Sequence, residues 1–175
     1  MSIRENYEKY GVSCYYKNHA KEYVNPHKDI IQDLLLYAKK NWKLGINLLD
    51  LCSGSGEVTE VFQTENIVGC DPYTYEIYTN KTQKICYKKS FKDIVESGLE
   101  NNYDTIICSF AMHLCEESML PMLLWQLSQK SKQLLILSPH KRPNCNGIYN
   151  WKCIHELKKE KVTMKLYKNG GKIYD

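Results

Sequence analysis

Asp50 sits in an apolar run, Leu48-Leu49-Asp50-Leu51, and a tight turn, Ser53-Gly54-Ser55-Gly56, follows before a helical pattern begins. Asp71 stands 15 residues after Gly56, just past a second apolar run, Ile67-Val68-Gly69-Cys70. Strand, glycine-rich turn and helix are the layout of a nucleotide-type site in a doubly wound sheet. Gly54 and Gly56 let the backbone approach a ligand closely. A phosphate cradle needs Lys and Ser or Thr after the glycines, but Gly56 leads into Glu57 and Val58, which excludes it. A dinucleotide fingerprint needs a third glycine where Thr59 stands. Carboxylates at Asp50 and Glu57 repel a pyrophosphate and suit a ligand bearing an ammonium or sulfonium charge. Asp71 occupies the place of an acid that accepts hydrogen bonds from both ribose hydroxyls. Asp93 is a third candidate, past the third strand and near where an adenine ring would lie. Asp104, at the start of the fourth strand, is expected to be structural.

His113 lies three residues past Phe110, at the carboxyl end of the fourth strand, where ligands of open α/β sheets collect. It is a candidate general base or substrate-orienting group; the alternative is a helix-start histidine packed under the N-terminal arm. Lys141 and Arg142, on the same rim after the fifth strand, could meet a phosphate or form a solvated basic loop. His140, Cys145, Cys153 and His155 match no zinc-finger spacing and include no CxxC pair, so no metal is expected. Tyr15, Tyr16 and Tyr23 are candidates for a lid.

These residues need elements to hold them. Asn25 and Pro26 read as the N-cap and first position of a helix. Its apolar face is Ile30, Ile31, Leu34, Leu35 and Ala38, with Gly45 at its end. Strand-like runs follow at 46–51, 66–70, 84–88, 105–110 and 133–138. A helix over 116–132 separates the last two, with Pro121 near its first or second turn. Strands alternating with helices predict a doubly wound, mostly parallel α/β sheet of the seven-stranded, Rossmann-like type, with helices on both faces. In the tail, 162–167 alternates, Asn169-Gly170-Gly171 is a hairpin signal, and Lys172-Ile173-Tyr174-Asp175 would return as an antiparallel edge. The expected organisation is one domain, 1–175, with a Tyr-rich arm over 1–24 and the core over 25–175.

At 175 residues the chain has room for one sizeable core. No apolar run approaches the ~20 residues that span a membrane, and the N-terminus lacks the apolar stretch of a signal peptide. The eight cysteines read as reduced thiols of a cytoplasmic protein, with nuclear residence left open. The formal charge of +4 permits an anionic partner without demanding one.

"LLDLCSGSGEVT", "VGCDPY", "SFKDI" and "YDTIICSFAMHL" together resemble successive motifs of the class I S-adenosylmethionine (SAM)-dependent methyltransferases, over about residues 10 to 140. The arm "YYKNHAKEYVNPH" is similar to the aromatic arm that many of these enzymes fold over SAM. The resemblance implies a methyltransferase (EC 2.1.1 class) with SAM as its cofactor. It places Asp50, Cys52, Gly54 and Gly56 at the methionine end, and Asp71 with Pro72 at the ribose. Asp93 with Phe91 or Ile94 would flank the adenine, Ser109 and Phe110 would lie below the sulfonium, and Tyr15 and Tyr16 would close over it. His113 would face the acceptor. The family usually has Gly where Cys52 stands; a small side chain still fits there. No Asn/Asp-Pro-Pro-Tyr motif follows the fourth strand, which argues against the exocyclic adenine or glutamine N-methyltransferases, and no paired acids suggest a metal-dependent catechol type. "CSFAMHL" is somewhat similar to the strand-four segment of messenger-RNA cap guanine-N7 methyltransferases. The acceptor is a small molecule or RNA. The rival expectation is a non-catalytic SAM-fold subunit that binds and stabilises a partner protein.

Overall fold

The computed structural model describes residues 25–171. The arm with Tyr15, Tyr16 and Tyr23, and the expected strand at 172–175, lie outside the described residues. Helix α1 (Lys28–Asn41) buries Ile31, Leu34, Leu35 and Ala38, the i, i+3, i+4, i+7 stripe of an amphipathic helix. It starts later than expected. His27 is the capping position, while Asn25 folds back so that its Oδ1 accepts the His27 N–H at 2.9 Å. Gly45 is not the helix end, which falls at Trp42. It turns the chain into β1 (Asn47–Leu51) with φ of 80°. Beside it, Asp104 Oδ2 accepts the N–H groups of Ile46 and Asn47, each at 2.9 Å, which is the structural role expected of that acid. A Cβ on Gly45 would land inside the Asp104 side chain. Gly45→Ala is therefore expected to cost about 1–3 kcal/mol through left-handed strain alone, read as a lowered melting temperature. An unchanged melt would remove this turn from the stability of the sheet.

The chain then alternates α2 (Glu57–Val61), β2 (Asn66–Cys70), α3 (Tyr75–Thr82), β3 (Cys86–Tyr87), α4 (Phe91–Ser97) and β4 (Tyr103–Ser109). A 3-10 turn at Met112–Leu114, α5 (Leu120–Lys130) and β5 (Ser131–Ser138) follow. The last elements are a second 3-10 turn (Ile148–Asn150), β6 (Trp151–Lys159) and β7 (Val162–Asn169). The seven strands form one sheet in the order β3-β2-β1-β4-β5-β7-β6, parallel as far as β5 and antiparallel beyond it. Side chains alternate between the two faces of a strand. Leu48, Ile107 and Leu135 accordingly pack with α1 and with Val58 and Phe62. Leu49, Ile106 and Leu134 pack with Leu123, Leu124 and Leu127 of α5. The helices thus lie on both faces, as the sequence implies.

The C-terminal ribbon is antiparallel but is built differently from the expectation. The partner of β7 precedes it: β6 pairs with β7 from Trp151↔Asn169 to Lys159↔Val162. The turn is Glu160-Lys161, with Glu160 at φ 53°, and not Asn169-Gly170-Gly171. Asn169 instead accepts the Gly171 N–H through Oδ1 at 2.7 Å. Two contacts tie β6 back to α1 and its exit: an ion pair from Lys159 to Asp33, and His155 stacked on Trp42 at 5.1 Å.

Candidate active site

From β1 the chain winds outward through β2 and β3, then returns to lay β4 on the other flank of β1. That reversal opens a crevice at the carboxyl ends of β1 and β4, where open α/β sheets bind ligands. A cavity of about 540 Å³ lies there.

The floor is made by the turn after β1. Cys52, Gly54 and Gly56 have φ of 57°, 55° and 96°. Cys52 is the only one of the three with a side chain, and the left-handed conformation costs an L-residue roughly 1–2 kcal/mol. The turn is closed by Ser53 N–H to Cys70 O at 3.2 Å and Gly56 N–H to Ser53 O at 2.9 Å. A Cβ on Gly56 would approach Thr82 Cγ2 to 2.7 Å.

Asp50 alternates onto the face of Leu48, where α2 lies, and its carboxylate is buried. Its Oδ2 accepts from Thr59 Oγ1 at 2.8 Å, and Thr59 Oγ1 also meets Tyr78 Oη at 2.6 Å. Burial holds the Asp50 pKa well above the ordinary carboxylate range; the Thr59 hydrogen bond opposes this, and Glu57 and Asp71 push the same way as burial. Asp71, at the tip of β2, is gripped by backbone. Oδ1 accepts the N–H groups of Tyr73 and Thr74 at 2.8 and 2.9 Å, and Oδ2 accepts that of Gly54 at 3.2 Å. An ionised carboxylate offers about four acceptor sites, so one remains beyond these three. The latch from Asp71 to Gly54 joins the tips of β2 and β1 into one rigid rim.

Past β4, Ser109 and Phe110 line the same cavity. Ser109 Oγ is buried with no partner among the described residues. Phe110 has φ of 57°, unusual for so bulky a residue. Its N–H donates to Leu137 O at 2.9 Å, and its ring meets that of His27 at 5.2 Å.

Asp50, Cys52, Gly54, Asp71, Pro72, Ser109 and Phe110 all border the cavity, and Gly56 shapes the turn without lining it. Asp93 does not join them. It closes a capping box at the start of α4: its Oδ2 accepts from Ser90 N–H and Oγ at 2.8 and 2.9 Å, while Asp93 N–H donates to Ser90 Oγ. Ile94 lies in the core; the cavity wall there is Ser90, Phe91 and Lys92. His113 also stands off the wall, which is formed by its neighbours Ala111, Leu114 and Cys115. Its ring packs on His140 at 4.5 Å, and burial, with His140 beside it, pushes its pKa down to about 4. Tyr15 and Tyr16 lie outside the described residues. Sequence reasoning did not single out Asn25, Tyr73 or Met119 as lining residues, although Asn25 and Tyr73 fall within the stretches "YYKNHAKEYVNPH" and "VGCDPY".

No group of three or more metal-ligating side chains occurs among the described residues. Cys145 is in the core and His155 lies against Trp42. Arg142 pairs with Glu117 at 2.8 Å on the exposed surface. No helix among the described residues is long and apolar enough to cross a membrane.

No protein-family profile matches the chain. An uncharacterised protein of Schizosaccharomyces pombe is 32% identical over 197 positions, covering 86% of this chain and 79% of the yeast protein. The fold is similar to that of magnesium protoporphyrin IX methyltransferase from Synechocystis, crystallised with SAM: TM-score 0.68, 14% identity, 91% of this chain and 95% of that one. It is also similar to the N-methyltransferase NodS of Bradyrhizobium japonicum, in complex with S-adenosyl-L-homocysteine: TM-score 0.70, 10% identity, 95% of this chain and 98% of that one. An rRNA methylase from Escherichia coli matches with TM-score 0.62 and 11% identity over 95% of this chain and 73% of its own.

Proposed function

Because the chain belongs to the family of the fission-yeast protein and has the class I methyltransferase fold, we propose that it is a SAM-dependent methyltransferase. The observation that carries this is the convergence of the Cys52–Gly56 turn, Asp71 and Ser109-Phe110 on one cavity at the switch point of the sheet. Its donor set fits the cofactor. Acids predominate, which suits a ligand bearing sulfonium and ammonium charges, and the backbone is bent where a side chain would crowd it. The turn after β1 with Asp50 would hold the methionine end, Asp71 and Pro72 the ribose, and Phe91 the adenine. When bound, SAM supplies a methyl on a sulfonium that leaves as a neutral thioether as the acceptor's lone pair takes the methyl. The protein's part is then alignment and exclusion of water. His113 is not proposed as a base, since it stands off the cavity wall and packs on His140.

The test is calorimetric titration with SAM, followed by transfer of labelled methyl to a cell extract. No binding would end the proposal; binding without transfer would leave a non-catalytic SAM-fold subunit. The titration has a second expected result. A bound cation favours ionised Asp50, whose pKa in the free protein is raised by burial. Its pKa therefore falls on binding, a proton is released, and affinity climbs with pH through the window above the ordinary carboxylate range. Titrations in buffers of different ionisation enthalpy should show that proton. Identical apparent enthalpies in all of them would dissociate Asp50 from the bound charge.

A further inference from the structure

We propose that Asn25 orients the methyl acceptor, donating its Nδ2–H to a carbonyl or ring nitrogen of an acceptor that is not anionic. This rests on the methyltransferase proposal above. Asn25 is 8% exposed and lines the cavity. Its amide has a fixed sense: Oδ1 accepts the His27 N–H at 2.9 Å, so Nδ2 is the edge left over. That Nδ2 has no partner among the described residues. It is not a buried orphan; at the cavity wall a ligand atom can replace water as its acceptor.

The placement separates Asn25 from the cofactor's ribose end. Asp71 ends β2, on one flank of β1, whereas Phe110 follows β4 on the other. Asn25 belongs to the Phe110 side, because His27, which its side chain holds, has its ring against Phe110 at 5.2 Å. The charge of the wall sets the acceptor class. Asp50, Glu57, Asp71 and Glu116 border the cavity against one base, Lys92. This excess of acids along the wall disfavours a phosphate or carboxylate in the cavity. A neutral amine or ring nitrogen beside a carbonyl meets no such repulsion.

Asn25→Asp is the informative variant. It keeps an oxygen that can accept from His27, replaces the donor with a second acceptor and adds an acid to the wall. We expect an unchanged melting temperature, SAM affinity that is not weakened, and methyl transfer from labelled SAM into a fission-yeast extract reduced about 10-fold, the effect of a lost substrate hydrogen bond. Asn25→Gln should recover part of the transfer, which a purely structural role would not predict. Labelled product should pass through an anion exchanger. Loss of SAM affinity in parallel with transfer would move Asn25 to the cofactor, and wild-type transfer by Asn25→Asp would remove its role; either overturns the proposal. Label retained on the exchanger, as RNA would be, overturns the acceptor class; label in no fraction from a protein that binds SAM leaves the non-catalytic subunit and overturns this proposal with it. A wild-type protein that does not bind SAM fails earlier and ends the methyltransferase proposal itself.

Discussion

Asp71→Ala is expected to weaken SAM binding by about 10- to 100-fold, the range of a hydrogen bond to a charged group. Two effects act together. In the proposed role, the carboxylate's remaining acceptor site would no longer be there for a ribose hydroxyl. The three backbone N–H groups of Gly54, Tyr73 and Thr74 also lose their partner, so the rim between β1 and β2 loosens. Asp71→Asn separates these effects. An amide oxygen can still accept from Tyr73 and Thr74, but its NH2 edge cannot accept from Gly54 or from a hydroxyl. Calorimetry should place it between wild type and Asp71→Ala. Equal SAM affinity in a folded Asp71→Ala protein would remove Asp71 from the site.

Trp151→Ala is expected to be the most destabilising single change, at about 3–5 kcal/mol. The side chain is fully buried where β6 begins, within the cluster shared by β4, β5 and α5. Its Nε1–H donates to Leu124 O on α5 at 3.1 Å. One residue thus fastens the C-terminal hairpin to the helix that covers the sheet. Truncation leaves a large void and removes the indole's hydrogen bond to α5. For a domain of this size, each kcal/mol lowers the melting temperature by about 2–4 °C, so a fall of roughly 6–20 °C is expected. Trp151→Phe should fall between, keeping most of the volume and losing the hydrogen bond. A melt within a degree or two of wild type for Trp151→Ala would mean that the hairpin is held by its pairing with β5 alone.

How much of this was legible depended on burial. β1 and β2 are apolar runs whose expected bounds hold to within a residue, whereas β5 begins two residues earlier than expected, at Ser131, because the helix before it runs only Leu120–Lys130. β6 sits at the sheet edge with most of its residues half-exposed or exposed, and an irregularity in register between Cys153 and His155 interrupts its alternation. Its turn, Glu160-Lys161, carries no glycine or asparagine, whereas Asn169-Gly170-Gly171 advertises a turn that β7 does not use. At the site, Asp50, Asp71 and the glycines were recognisable because strand tips and spacing constrain them. Asp93 closes a capping box and does not border the cavity, and Ser90-x-x-Asp93 is itself a capping signal. Asn25 was read as a helix cap, and nothing local shows that its amide borders a cavity built mainly from strand tips far along the chain.

The sheet order also fixes when the cavity can come into being. β6 and β7 are joined by two residues and can pair as soon as both exist, whereas Leu48 must wait for Thr105 before β1 is flanked on its second side. Contacts of long sequence separation close late, because loop entropy is lost before they reward it. A chain growing from the ribosome therefore carries β1, its strained turn and Asp71 through the synthesis of β3 and α4 with one side of the crevice missing. The turn is already closed by Cys70 and Asp71 at the tip of β2, so the floor of the pocket can form before β4 supplies its second wall.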